Sequence, residues 1–254
     1  MKRLIASVLL SVFAITAFAG CSKKEDELVV GFDNEFPPMG FVDDNGDYVG
    51  FDLDVAREVA DRLDLKFVAQ PIDWASKDLE LSSGNIDCIW NGFTMNGRED
   101  SYTWTEAYMD NAQVVVVKNG SSIRSLDDLA GAIVCVQEES SGQAAVEGRP
   151  ELLDTFDDLV KTDTYLNAIL QLESGAVDAI VMDEIVARYQ IQASGYDFVI
   201  LDEAISSEQY GVGFLLGNTE LRDKVQATLE EMAADGTLAE ISIKWFGTDI
   251  TTIG

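Results

Sequence analysis

Apolar residues run along the chain in two alternating rhythms, short unbroken runs and helical stripes. Leu28-Val29-Val30-Gly31-Phe32 is a short apolar run that stops at Asp33. Leu53, Val55, Ala56, Val59, Ala60 and Leu63 then recur at a spacing that predicts an amphipathic helix from Phe51 to Leu63. Between them, Asn45-Gly46 flanked by Phe41-Val42 and Tyr48-Val49 is a strong hairpin signal. Lys66-Phe67-Val68 begins another strand. In Leu81-Ser82-Ser83-Gly84-Asn85-Ile86-Asp87-Cys88-Ile89 a polar helix end breaks at glycine and feeds a β-branched apolar run. That is the pattern of a helix C-cap leading into a buried parallel strand. It returns 91 positions later as Leu172-Glu173-Ser174-Gly175-Ala176-Val177-Asp178-Ala179-Ile180. Two such units predict two similar α/β lobes, with ligand groups in the crevice beyond the strand carboxyl ends.

The first unit runs on to Arg98 and the second to Asp183. One lobe therefore offers a cation and the other an anion, the pair that an α-amino acid zwitterion requires. Val114 to Val117 is a buried strand or a strand linking the lobes, and Gly211 to Leu216 matches it as a crossing strand back. Ser125 caps a short helix, Ala132 to Val136 is a strand, helices begin at Ser141 and Tyr165, and Phe198 to Leu201 is a further strand. Leu221 to Ala234 and Leu238 to Phe246 are amphipathic helices that complete the first lobe. The expected division is lobe 1 over 28–112 and 212–254, lobe 2 over 117–207, and a hinge of two crossing strands at 113–116 and 208–211.

The first residues change where the chain is expected to reside. Lys2 and Arg3 precede an apolar stretch from Leu4 to Phe18 that ends in Ala19-Gly20-Cys21, which reads as a secretory signal over 1–20. It is shorter than the roughly 20 apolar residues of a membrane span. Residues 21–27 are polar and read as a tether. Removing the signal takes the formal charge from −29 to −31. So acidic a surface lacks the basic footprint of nucleic-acid binding. The chain has no histidine and no Cys-x-x-Cys, which excludes histidine acid–base chemistry and a zinc site. Cys88 and Cys135, placed in different lobes, are expected as two buried free thiols. Neither a cofactor nor a metal is expected.

Six segments, in order, resemble the amino-acid-binding (family 3) extracellular solute-binding proteins of ABC importers. They are Val30 to Met39, Gly50 to Val55, Gly84 to Asp87, Asn91 to Arg98, Val136 to Gly142, and Val177 to Asp183. Phe18-Ala19-Gly20-Cys21 resembles the bacterial lipobox, which makes Cys21 the lipid-modified (palmitate-bearing) first residue of a mature lipoprotein. The resemblance implies a two-lobed periplasmic-binding-protein-like α/β fold (type II) with the ligand in the interlobe cleft. It implies a monomer on the outer face of the cell membrane, held there only by lipid. Its partners would be a free L-amino acid and the permease subunits of an ABC transporter.

The resemblance also implies roles. Arg98 would clamp the ligand α-carboxylate, assisted by Thr94 and, from lobe 2, by Ser140 and Ser141. A guanidinium fork matches a carboxylate bidentately. The Gly92 carbonyl and the Asp183 carboxylate would hold the α-ammonium. Phe36 and Phe51 would sandwich the ligand side chain, and Asp33 would meet a polar head. Trp74 and Trp90 are further candidates for walls, Trp90 being better suited to the strand layer, and Asp52, Asp54, Glu58 and Asp61 read as a solvated helix face. The chain departs from the family pattern twice. Thr94-Met95-Asn96-Gly97-Arg98 is one residue shorter than the usual Thr-x-Thr-x-x-Arg, and Glu139 stands where a small residue usually precedes the serine pair. Asp33, with Glu35 and Glu139, favours a neutral or basic polar ligand over an acidic or aliphatic one. The competing expectation is an enzyme on the same fold, of the cyclohexadienyl-dehydratase type, with Glu139 or Asp33 as its acid–base carboxylate.

Overall fold

The computed structural model describes residues 26–254. The expected signal, Cys21 and all but the end of the tether lie outside them; Glu27, the tether's last residue, already begins the first strand.

Two large sheets of matching plan carry the two lobes, with a small three-stranded sheet beside them. In the first, the parallel strands run in the order Lys66–Pro71, Glu27–Phe32, Cys88–Ile89. In the second, the equivalent order is Asp158–Thr162, Ile133–Gln137, Ala179–Asp183. The strands Ile133–Gln137 and Ala179–Asp183 are buried almost throughout, as expected for parallel strands covered on both faces. In each sheet the fourth strand is antiparallel and belongs to the chain's passage between lobes. Gly213–Leu215, on the return, pairs with Cys88–Ile89; Met109–Lys118, on the way out, pairs with Ala179–Asp183. The helices Thr219–Asp235 and Thr237–Phe246 then pack on the helix Phe51–Arg62, so the chain visits lobe 1, lobe 2 and lobe 1 again.

The sequence repeat has a structural counterpart. Helices Lys77–Ser83 and Tyr165–Ser174 each end at a left-handed glycine, φ 76° at Gly84 and 79° at Gly175. Three residues on, the shared aspartate fastens the start of the neighbouring strand. The Asp87 carboxylate accepts from the Val29 N–H at 2.8 Å, and the Asp178 carboxylate from the Ile133 N–H at 2.9 Å. Their own N–H groups donate to the carbonyls of those same residues.

Residues 113–116, expected as a crossing strand, belong to the long strand Met109–Lys118. They sit inside the second sheet, between Ala179–Asp183 on one side and partners at Ile200 and Ser206 on the other. Their valines are apolar because a central strand is covered on every side. The passages themselves fall at 105–108 and 211–212, where Tyr108 N–H donates to the Tyr210 carbonyl at 2.9 Å and Thr105 N–H to the Val212 carbonyl at 3.2 Å. The last residues run beside the first passage: Thr252 donates to the carbonyls of Tyr108 and Ala107, and Thr251 bridges Met109.

The hairpin forms as expected, with Gly40–Val42 pairing Tyr48–Val49. Both Cys88 and Cys135 are buried free thiols. Asp52 is a correction. It is fully buried, not part of a solvated face, because its carboxylate turns inward to accept from the Gly92 N–H at 2.6 Å and the Tyr108 hydroxyl at 3.0 Å.

A Cβ added at Gly84 would meet nothing within 4 Å, so only backbone strain opposes it. Gly84→Ala is expected to lower unfolding free energy by about 1–2 kcal/mol. Urea titration checks this, and an unshifted midpoint would show that the cap does not set the helix end.

Candidate ligand-binding site

The strand carboxyl ends of both lobes converge on one narrow pocket. From lobe 1, Asp33 follows the strand Glu27–Phe32, and Asn91, Gly92 and Thr94 follow Cys88–Ile89. From lobe 2, Gln137 and Asp183 end their strands, and Ser140 and Ser141 open the short helix Ser141–Glu147. Phe36, Trp74 and Tyr165 supply aromatic walls, with the Phe36 and Tyr165 rings meeting across the cleft at 5.9 Å.

Eight of the nine expected ligand residues line this space: Asp33, Phe36, Gly92, Thr94, Arg98, Ser140, Ser141 and Asp183. Phe51 does not. It lies wholly in the lobe 1 core against Phe246 and Tyr108, because it opens a helix whose apolar stripe faces inward. Trp74, from the turn Trp74–Ser76, stands in the wall instead, while Trp90 is fully buried in the core.

The shortened loop still delivers Arg98. Its N–H donates to the Met95 carbonyl at 2.9 Å, closing a tight turn in which Gly97 takes φ 79°. The guanidinium, stacked 5.1 Å over the Phe93 ring, donates to the carbonyls of Thr94 at 3.2 Å and of Glu139 at 3.3 Å. These are long, neutral partners; among the described residues no carboxylate pairs with it. Glu139 adopts a left-handed backbone, φ 58°, which explains why a small residue is usual there. Its side chain is exposed at the rim, and its carbonyl turns toward lobe 1.

Lys77, which nothing in the sequence pattern singled out, also reaches that carbonyl, at 3.3 Å. It is buried beside the Trp74 ring, and burial first, then the charge of Arg98, lower its pKa.

Asp33 is buried and accepts from the Glu35 N–H at 2.8 Å and, across the cleft, from Gln137 Nε2 at 2.7 Å. Burial pushes its pKa up to about 6, against the pull of those hydrogen bonds. Asp183 does not cap the helix that follows it. Its Oδ1 accepts from Asn111 Nδ2 at 2.9 Å and from the Tyr210 hydroxyl at 2.6 Å. Burial, and then the neighbouring Glu208 carboxylate, raise its pKa well above the carboxylate range. Nothing in the sequence pattern marks Glu208, since a glutamate in the polar strand Ser206–Tyr210 carries no local signal of burial.

Two lobes of like topology closed over a polar pocket define the bilobal, periplasmic-binding-protein-like fold. Residues 28–248 match the bacterial extracellular solute-binding proteins, family 3, and the chain belongs to that family. The L-cystine-binding protein TcyJ of Escherichia coli is 29% identical over 98% of this chain and 93% of its own length. A substrate-binding protein of an ABC uptake transporter from Streptococcus pneumoniae, solved with bound histidine, is 34% identical. It superposes with a TM-score of 0.87 over 89% of this chain and 95% of that one. An ancestral arginine-binding protein bound to arginine is 39% identical, with a TM-score of 0.81 over 87% and 99%.

The pKa of Asp33 carries a stability prediction. A carboxyl raised from 3.8 to about 6 on folding binds more protons in the native state within that window, so stability falls as pH rises through it. Asp33→Asn should therefore stabilise the ligand-free protein by up to about 3 kcal/mol above pH 6, with the difference vanishing below about pH 4. Thermal melts at both pH values check this; a variant less stable at pH 7.5 would contradict it.

Proposed function

We propose that this protein captures a free L-α-amino acid with a neutral or basic polar side chain and passes it to the permease subunits of an ABC importer. It does so as a monomer and performs no chemistry of its own. One observation carries the reading. The pocket holds a guanidinium and buried carboxylates that are unpaired with one another, the complement of a zwitterion. Arg98 would take the α-carboxylate, with Thr94, Ser140 and Ser141 around it. The Gly92 carbonyl, fixed by the bond from its N–H to Asp52, and Asp183 would take the α-ammonium. Phe36 and Trp74 replace the expected Phe36–Phe51 sandwich as walls, and Asp33 would meet the side-chain head.

The named ligands of the relatives, cystine, histidine and arginine, support the preference for polar neutral or basic side chains. Of the two carboxylates considered for acid–base chemistry, Glu139 sits exposed at the rim and Asp33 is engaged by Gln137, an arrangement suited to recognition. The start of the sequence supports a mature chain beginning at a lipid-modified Cys21 on the outer face of the membrane. Cys21→Ala should then release the protein from the membrane fraction; retention there would remove the anchor.

Competition binding with arginine, histidine, cystine, glutamine, leucine and glutamate tests the ligand class. A polar neutral or basic amino acid is expected to rank first, and tightest binding by glutamate or leucine would overturn the assignment. Arg98→Ala should weaken binding by about 2–5 kcal/mol, since truncation leaves the ligand carboxylate buried and unpaired. Calorimetry placing it within about threefold of wild type would remove Arg98 from the site.

A further inference from the structure

Glu208 belongs to the strand Ser206–Tyr210, at the start of the return passage, and is 5% exposed. Its Oε1 accepts three side-chain bonds, from Thr94 Oγ1 at 2.9 Å, Asn111 Nδ2 at 2.6 Å and Gln113 Nε2 at 2.9 Å. Thr94 comes from lobe 1 and Gln113 from the second sheet, so this one carboxylate ties the lobes together. Asn111 spends its two amino hydrogens on the two acids, one on Glu208 and one on Asp183. Both acids are therefore held within hydrogen-bond reach of a single nitrogen, out of water.

Every donor to this pair is neutral. The titratable groups packed against it are Tyr210 on its own strand and Tyr165 on the helix Tyr165–Ser174, both fully buried phenols held protonated. Arg98, Glu139 and Glu147 face the adjoining mouth of the cleft, and Asp33 lies with Arg98 along the main pocket. No lysine or arginine among the described residues forms an ion pair with Glu208 or Asp183. Burial first, and then the Glu208 carboxylate beside it, hold Asp183 above the carboxylate range, so Asp183 keeps a proton. A second feature marks the place for a ligand. The Tyr165 hydroxyl, in the pocket wall and 1% exposed, has no protein hydrogen-bond partner, and neither does the buried Gln113 Oε1.

We propose that Glu208 is a second carboxylate of the ammonium site, and that it and Asp183 hold one proton which the incoming α-ammonium displaces. This rests on the amino-acid reading above. The ligand enters as the zwitterion and keeps its charge. The proton leaves the acid pair for the buffer, and the ammonium supplies in its place a positive charge and three N–H donors. Affinity is then linked to pH. It weakens as pH falls, about tenfold per unit where one proton is exchanged, because the proton and the ammonium compete for the same oxygens.

Titration calorimetry of the intact mature domain with L-glutamine, L-arginine and L-cystine, each in phosphate and in Tris at pH 7, counts the protons. For each amino acid that binds, the difference in apparent heat between buffers is expected to give about one proton released. Glutamine is the cleanest probe, since its side chain adds no charge opposite Asp33. Glu208→Gln should bring the count close to zero and flatten the dependence of Kd on pH between 6 and 8, with a melt confirming that the variant is folded. Should that variant not fold, Asp33→Asn takes its place: it is expected to keep a count of about one with glutamine, and a count near zero would overturn the proposal. Equal heats in the two buffers overturn the proposal, and so does full proton release in folded Glu208→Gln, which would assign the proton to Asp33 or Asp52. If no amino acid binds at all, the amino-acid reading fails and this proposal falls with it.

Discussion

Opposite charges kept apart inside a closed cleft are the constraint on which the rest of this structure depends. A guanidinium and a pair of carboxylates would satisfy one another if the chain let them meet, and an unpaired buried charge is costly. The fold prevents the meeting by placing them on different lobes. Arg98 is held by a turn in lobe 1, and Asp183 ends a central strand of lobe 2. Neutral groups stand in at each end: backbone carbonyls for the arginine, and an amide and a phenol for the aspartate. They are good enough to fold with and weaker than a ligand ion. The site is therefore less stable than it could be, a deficit that the proposed zwitterion would relieve.

The architecture was legible where the sequence repeats a physical necessity. The glycine that ends each helix and the aspartate that pins the adjacent strand are local devices, and both copies use them alike. Arg98 and Asp183 were legible as the residues to which each copy leads. Other residues were not, for reasons that differ. Phe51 and Trp74 are both aromatic and both near the cleft in sequence, and only the orientation of the helix Phe51–Arg62 decides which ring faces inward to the core. Asp52 sits among acids that alternate with apolar positions, so its burial is invisible until Gly92 and Tyr108 are brought to it. Glu208 and Lys77 depend on contacts across the cleft, which no window of neighbouring residues contains. The valines of 114–116 read as a crossing strand because such a run looks the same there and in the middle of a sheet, where the structure pairs them.

The interlobe contacts join the lobes largely through groups that also line the pocket. Glu139 offers its carbonyl to Arg98 and Lys77, Gln137 bonds to Asp33, and Thr94 bonds to Glu208. Each joins a lobe 1 group to one from lobe 2 or its returning strand, and most of these groups also face the pocket. A ligand that takes over one of these bonds changes the balance between open and closed in the same step, so affinity and domain motion cannot be tuned independently at these positions.

The C-terminal residues carry a mechanical consequence. Ile250 is fastened to the helix Thr237–Phe246 through the Ser242 hydroxyl, and Thr251 and Thr252 are fastened to Ala107, Tyr108 and Met109. The tail therefore staples the outgoing passage to lobe 1. A pivot needs backbone that is free to turn, and along the stapled stretch each turn breaks a bond. The outgoing passage is thus held on two sides, by the return at Tyr210 and Val212 and by the tail at Thr251 and Thr252. The waist of the molecule is a pair of strands in topology and three backbone segments in cross-section.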